Sequence, residues 1–177
     1  MPTRPPIVNI ADVELRESPV PLPRGLEQKF GGARIGRISP VLGAKKLGYN
    51  LTAVPPGRRA FPLHAHSVNE EMFFVIEGSG EVRIGAERFP VRQGDVIACP
   101  PGGPETAHQI VNTGDAELRY LAVSTALSPE VAVYPDSNKF GLLAELPSGG
   151  DKPEILRFLG RTESSLAYYD GEPEAEG

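Results

Sequence analysis

One cysteine, no tryptophan, two methionines and three histidines occur in 177 residues. A single thiol, Cys99, excludes an intrachain disulfide and any metal site built on several cysteines. Long apolar runs are also missing. The longest, Met72-Phe73-Phe74-Val75-Ile76, falls far short of the roughly 20 residues that carry a helix across a bilayer. The opening MPTRPPIVNIADVEL has no apolar signal core. Lys and Arg form no cluster, and 18 basic against 23 acidic side chains leave a net charge of −5. Nucleic acid and membrane are therefore not expected partners. These absences predict a soluble, cytoplasmic protein.

Glycine and proline, in contrast, are plentiful, at 20 and 19 residues. With 40% hydrophobic and 23% charged residues the chain is not disordered throughout, so these turn formers predict many short strands. The length suits one domain with extra chain at its ends. Residues 1–40 hold Pro2, Pro5, Pro6, Pro19, Pro21, Pro23 and Pro40. Proline fixes φ and lacks an N–H, which predicts an extended arm without long helices or central strands, lying over the core or over a partner subunit.

Residues 41–145 read as a β-barrel. Apolar stretches at 47–54, 71–76, 81–84, 87–91, 96–99, 108–112 and 117–124 are separated by Gly, Pro, Asn or Asp. Connections this short predict antiparallel pairing, with 108–112 and 117–124 forming a hairpin. Residues 146–177 form a C-terminal extension. Ahead of it, 139–144 reads as one more strand; within it, 154–159 is open between short helix and strand, and the acidic end from Asp170 is expected to fray.

All three histidines bear on function. His64 and His66 are two apart, so on a strand both imidazoles face one point. Glu71 opens the next strand after a short connection, and His108 opens a later one. Three neutral imidazoles and one carboxylate suit one divalent transition metal: Fe, Mn, Ni, Zn, Co or Cu. Strand alternation places Phe73 and Val75 on the face of Glu71, and Ile110 and Asn112 on that of His108, mainly as core. Asn112 is expected to cap the turn at Thr113-Gly114. Cys99 reads as a small buried hydrophobe, with a reactive thiol as the alternative. Glu70 is expected to face solvent. Tyr49, Arg83 and Tyr120 are candidate polar groups for a pocket.

Residues 57–78, from Gly57 through His64-Ala-His66 and Glu71 to Gly78, resemble the first signature of the cupin superfamily. Six residues separate Gly57 from His64, one more than usual, and six separate Glu71 from Gly78, the family spacing, which selects Glu71 over Glu70. Gly94-Asp-Val-Ile-Ala-Cys-Pro100-Pro-Gly102 with His108 and Asn112 resembles the second signature, with five residues, 103–107, where the family has two, so the loop is longer by about three. The resemblance covers about residues 47–125. It implies an all-β fold, an antiparallel double-stranded β-helix or jelly-roll barrel, with His64, His66, Glu71 and His108 around one metal.

This fold hosts many functions, so the reaction stays open. Four ligands on an octahedral ion leave two positions for substrate, water or dioxygen. The expected function is that of a metal-dependent enzyme, of oxygenase or isomerase type, acting on a small oxygen-rich molecule that coordinates the metal. A non-catalytic module that binds or senses a sugar, an organic acid or the metal is the alternative, and a structural subunit with a vestigial pocket a third. The lack of a helix-turn-helix segment weighs against a transcription regulator, and the lack of an evident acid/base pair against a sugar epimerase. An open barrel edge and an extended arm predict a homodimer.

Overall fold

The computed structural model describes residues 6–148, 150 and 153–173. Pro2, Pro5 and the last four acidic-tail positions lie outside the described residues. The described strands are β1 (Arg16–Glu17), β2 (Arg34–Arg37), β3 (Leu47–Val54), β4 (Ala65–His66), β5 (Glu71–Glu77), β6 (Ser79–Ile84) and β7 (Glu87–Arg92). They continue with β8 (Val96–Cys99), β9 (His108–Val111), β10 (Leu118–Thr125), β11 (Glu130–Tyr134), β12 (Lys139–Leu146) and β13 (Glu154–Gly160).

These strands form three antiparallel sheets, ordered β1-β2-β3-β10-β5-β8, β7-β6-β9 and β13-β12-β11-β4. Alternation fills the interior. Phe73 and Val75 of β5, Ile97 and Cys99 of β8, Ile110 of β9, and Leu118, Tyr120 and Ala122 of β10 share one buried cluster. Within it, Phe73 meets the Tyr120 ring edge-on at 5.6 Å. The all-β double-stranded architecture is as expected.

The hairpin expectation fails in an informative way. β9 pairs with β6, while β10 pairs with β3 and β5, so 108–112 and 117–124 are not hairpin partners. Likewise β5 and β6, one residue apart, belong to different sheets. Short connections bring strand ends together without requiring the strands to pair; here they serve as corners between sheets. Gly78 is the sharpest: at φ +82° its Cβ would stand 2.5 Å from the Glu117 carbonyl oxygen, so only glycine turns this corner.

The arm also departs from expectation, because β2 lies between β1 and β3. Prolines crowd 19–23 and position 40, but Arg34–Arg37 has none, and its N–H groups are all available to the ladder. Pro40 sits in the first turn of the short helix Ser39–Leu42, where its missing N–H costs nothing. At the other end, 154–159 is strand, paired to β12 along its length. No helix among the described residues is long and apolar enough to cross a membrane.

Candidate metal centre

His64 stands just before β4 and His108 at the start of β9, and their backbones lock together. His64 N–H donates to the His108 carbonyl at 3.2 Å, and His108 N–H donates to that of His64 at 2.8 Å. Gln109 adds a bond from Nε2 to the Phe61 carbonyl, 2.7 Å, which holds the approach to His64 against β9. His66 follows two residues on, opposite Ala132 of β11. Glu71 begins β5 between Cys99 of β8 and Ser124 of β10.

The structure thus brings together all four residues singled out from sequence, one donor atom from each lying within 4.8 Å of every other. Glu71 Oε2 is 2.9 Å from His108 Nε2, 3.6 Å from His66 Nε2 and 4.0 Å from His64 Nε2. Donors that share a cation at about 2.1 Å lie roughly 3–4 Å apart. The lengthened loop leaves His108 in reach because 104–106 coil into a 3-10 turn, while Gly102 N–H holds the His66 carbonyl at 2.8 Å.

Electrostatics favours cation binding. Burial, reinforced by the neighbouring His108, lowers the His64 pKa to about 4, so the ring is neutral. Its Nδ1 lies 2.9 Å from the Pro62 carbonyl, which can only accept; the proton is on Nδ1 and Nε2 keeps its lone pair. Burial works against the charge on Glu71, but the hydrogen bond with His108 and the nearby His66 ring outweigh it and hold the carboxyl well below the usual range. For His66, burial opposes protonation; Glu71 and then Glu130 overcome this and raise its pKa. Both His66 ring nitrogens are buried without a hydrogen-bond partner. A cation seated among the four donors supplies what His66 Nε2 lacks, so these residues fit a divalent transition metal.

Sequence reading missed Glu130. Its side chain is 8% exposed, with Oε2 3.7 Å from His66 Nδ1. Nothing in its spacing marks it, and its partners are mostly backbone N–H groups. Tyr134 also joins the site, stacked on His64 with centroids 6.0 Å apart. The other candidates settle elsewhere. Arg83 pairs with Asp136 at 2.9 Å, Tyr120 is buried in the core, and Tyr49 lies opposite Val123 on the outward side of β3. Burial, then Glu71, pushes the Cys99 thiol up to about 12, the behaviour of a buried hydrophobe. Glu70 is exposed and Asn112 caps its turn, both as expected.

Residues 50–124 match the family model described as cupin domain. The chain carries a cupin domain. A crystal structure of a sugar phosphate isomerase from a cupin superfamily, SPO2919 of Silicibacter pomeroyi, superimposes with a TM-score of 0.74 at 27% identity, covering 92% of this chain and 98% of that one. The polyketide synthase CurC of Streptomyces cyaneus is 26% identical over 164 residues, 86% of this chain and 97% of CurC. An uncharacterized protein of Methanocaldococcus jannaschii, MJ1618, is 38% identical over 71 residues; this match covers 40% of this chain and about half, 54%, of MJ1618. The cupin match holds β4–β9, all but the last residue of β10 and all four donors, whereas β11–β13 and Glu130 lie beyond it.

Proposed function

We propose that this cupin is a metal-dependent enzyme of isomerase type, acting on a small oxygen-rich molecule such as a phosphorylated sugar. The observation that carries the reading is the cluster of His64, His66, Glu71 and His108, buried on one side and open to solvent on the other. His108 is 3% exposed while the other three side chains are 15–19% exposed. A divalent metal at this point would polarise a substrate carbonyl or hydroxyl. The chain's own part is to keep His64 neutral through Pro62, to keep Glu71 ionised, and to exclude water from beneath with Phe73, whose ring lies 5.6 Å from His108. Similarity to a sugar phosphate isomerase over nearly the full length of both chains supports the isomerase type.

A non-catalytic binding module is the second reading, favoured by one observation. Glu130 is engaged by backbone N–H groups and Tyr120 is buried, so neither gives the site a free acid or base. Metal-loaded protein incubated with aldose and ketose phosphates in D2O separates the readings. Exchange at the carbon next to the carbonyl, with interconversion of the sugars, supports the isomerase. Oxygen uptake without exchange means an oxygenase, and binding without turnover means a sensing or carrier module.

We also propose a homodimer, built on the outer ribbon. Ile155, Leu156, Phe158 and Leu159 of the edge strand β13 are all exposed. Light scattering should give twice the chain mass, and Leu156→Glu with Phe158→Glu should give a folded monomer. A wild-type monomer across micromolar concentrations would refute this. The single buried thiol suits a reducing, cytoplasmic setting.

A further inference from the structure

We infer that Glu130 is a positioning residue for the metal centre: its carboxylate orients the His66 ring and clamps the backbone that joins two of the donors. The inference rests on the metal-binding reading above and concerns a residue outside the cupin match.

A carboxylate this deeply buried is held in an interior only by strong hydrogen bonds. Glu130 Oε1 accepts from Ser67 N–H at 2.9 Å and Val68 N–H at 3.2 Å, while Oε2 accepts from Asn69 N–H at 2.7 Å and also from the Asn69 side-chain amide. Residues 67–70 connect His66 to Glu71, so one carboxylate gathers three of the four N–H groups of a segment bounded by two donors. Asn69 then ties that segment to the turn ahead of β11. Its Oδ1 accepts from Thr125 Oγ1 at 2.8 Å and Leu127 N–H at 2.7 Å, and its Nδ2 donates to the Leu127 carbonyl at 3.1 Å.

A loop staple alone would not need the carboxylate to face His66. Oε2 lies 3.7 Å from His66 Nδ1, a buried nitrogen with no hydrogen-bond partner. Across 3.7 Å the attraction of this anion for a proton on Nδ1 is electrostatic rather than a hydrogen bond, and a proton held on Nδ1 leaves the Nε2 lone pair for a cation at the shared donor point. The same tautomer is set at His64 by the Pro62 carbonyl. A ligand imidazole whose outer N–H is held by a carboxylate is fixed in angle and made more basic. Strand β11, which carries Glu130, also pairs with β4, which carries His66, so the positioning group and the positioned ring share one sheet.

The test has two readouts. Long-range 1H–15N NMR on the metal-free wild type, at a pH above the raised pKa of His66, should show the neutral ring as the Nδ1–H tautomer, and Glu130→Gln should lose that preference. Titration of Zn2+ against a competing chelator should show binding about 10- to 100-fold weaker in Glu130→Gln, with the fold retained by circular dichroism. A folded Glu130→Gln variant within twofold of wild-type affinity would overturn the inference, as would an Nε2–H tautomer in the wild type. The tautomer measurement needs neither a variant nor a metal, so it stands even if Glu130→Gln fails to fold. Wild type that binds no Zn2+ would instead refute the metal reading, while the NMR result would still decide the role of Glu130.

Discussion

Asn112→Ala is predicted to destabilise the barrel far more than the loss of one surface amide would. Asn112 is fully buried at the end of β9. Its Nδ2 donates to the Val54 carbonyl at 2.7 Å and the Ala116 carbonyl at 2.8 Å, and its Oδ1 accepts from Gly114 N–H at 2.9 Å. These three bonds join β3, the turn after β9 and the start of β10. Alanine leaves two carbonyls and one N–H without their partner, at roughly 1 kcal/mol each when water reaches them and up to about 3 when it does not. The expected total is about 3–4 kcal/mol, allowing for partial rehydration. Urea unfolding of metal-free protein measures it as a shift in midpoint at constant slope. Asn112→Asp should cost at least as much, because it places a carboxylate against two carbonyl oxygens. A loss below about 1 kcal/mol for the alanine variant would refute the reasoning, since it would mean that the three groups find other partners freely.

Metal-free protein should lose stability as pH falls from 6.5 towards 4. His64 titrates near 4 in the folded chain against an ordinary 6.5, so the unfolded state takes up the proton first across this window. Complete passage costs about 3 kcal/mol. Glu71, with its folded pKa held low, adds to the loss below its ordinary 4.5. His66 acts in the opposite sense, its pKa being raised, so the stability it contributes below 6.5 is lost as pH rises through its folded pKa. Urea midpoints in chelator from pH 4 to 8 check this; a flat profile between 6.5 and 4.5 would contradict it. Cys99 should resist a thiol reagent at pH 8 in the native protein and react fully in denaturant, because burial pushes its pKa up to about 12. Gly78→Ala should destabilise strongly, since its Cβ would stand 2.5 Å from a backbone oxygen; an unchanged urea midpoint would contradict the corner geometry.

Strand positions were legible because period-two apolar patterns bounded by turn residues have one backbone solution: Leu47–Val54 and Val96–Cys99 run as read. Partners were less legible. Loop length limits how far a chain can travel but not which sheet it enters, so the corner at Gly78 looked like a hairpin turn. β2 was hidden because prolines on both sides suggested that the whole arm avoids a ladder. At the site, the spacing of His64, His66, Glu71 and His108 was visible because side-chain direction follows from strand geometry. Glu130 was invisible: it recognises main-chain N–H groups at 67–69, which every sequence has, from 61 or more residues away.

The central claim is that these four residues hold one metal ion. Elemental analysis of untagged protein purified without chelator, beside a folded His66→Ala variant, tests it most directly. About one Fe, Mn, Co, Ni, Cu or Zn per chain in the wild type, lost in the variant, is the predicted result. No metal in the wild type after reconstitution, or equal metal in both proteins, would contradict the claim.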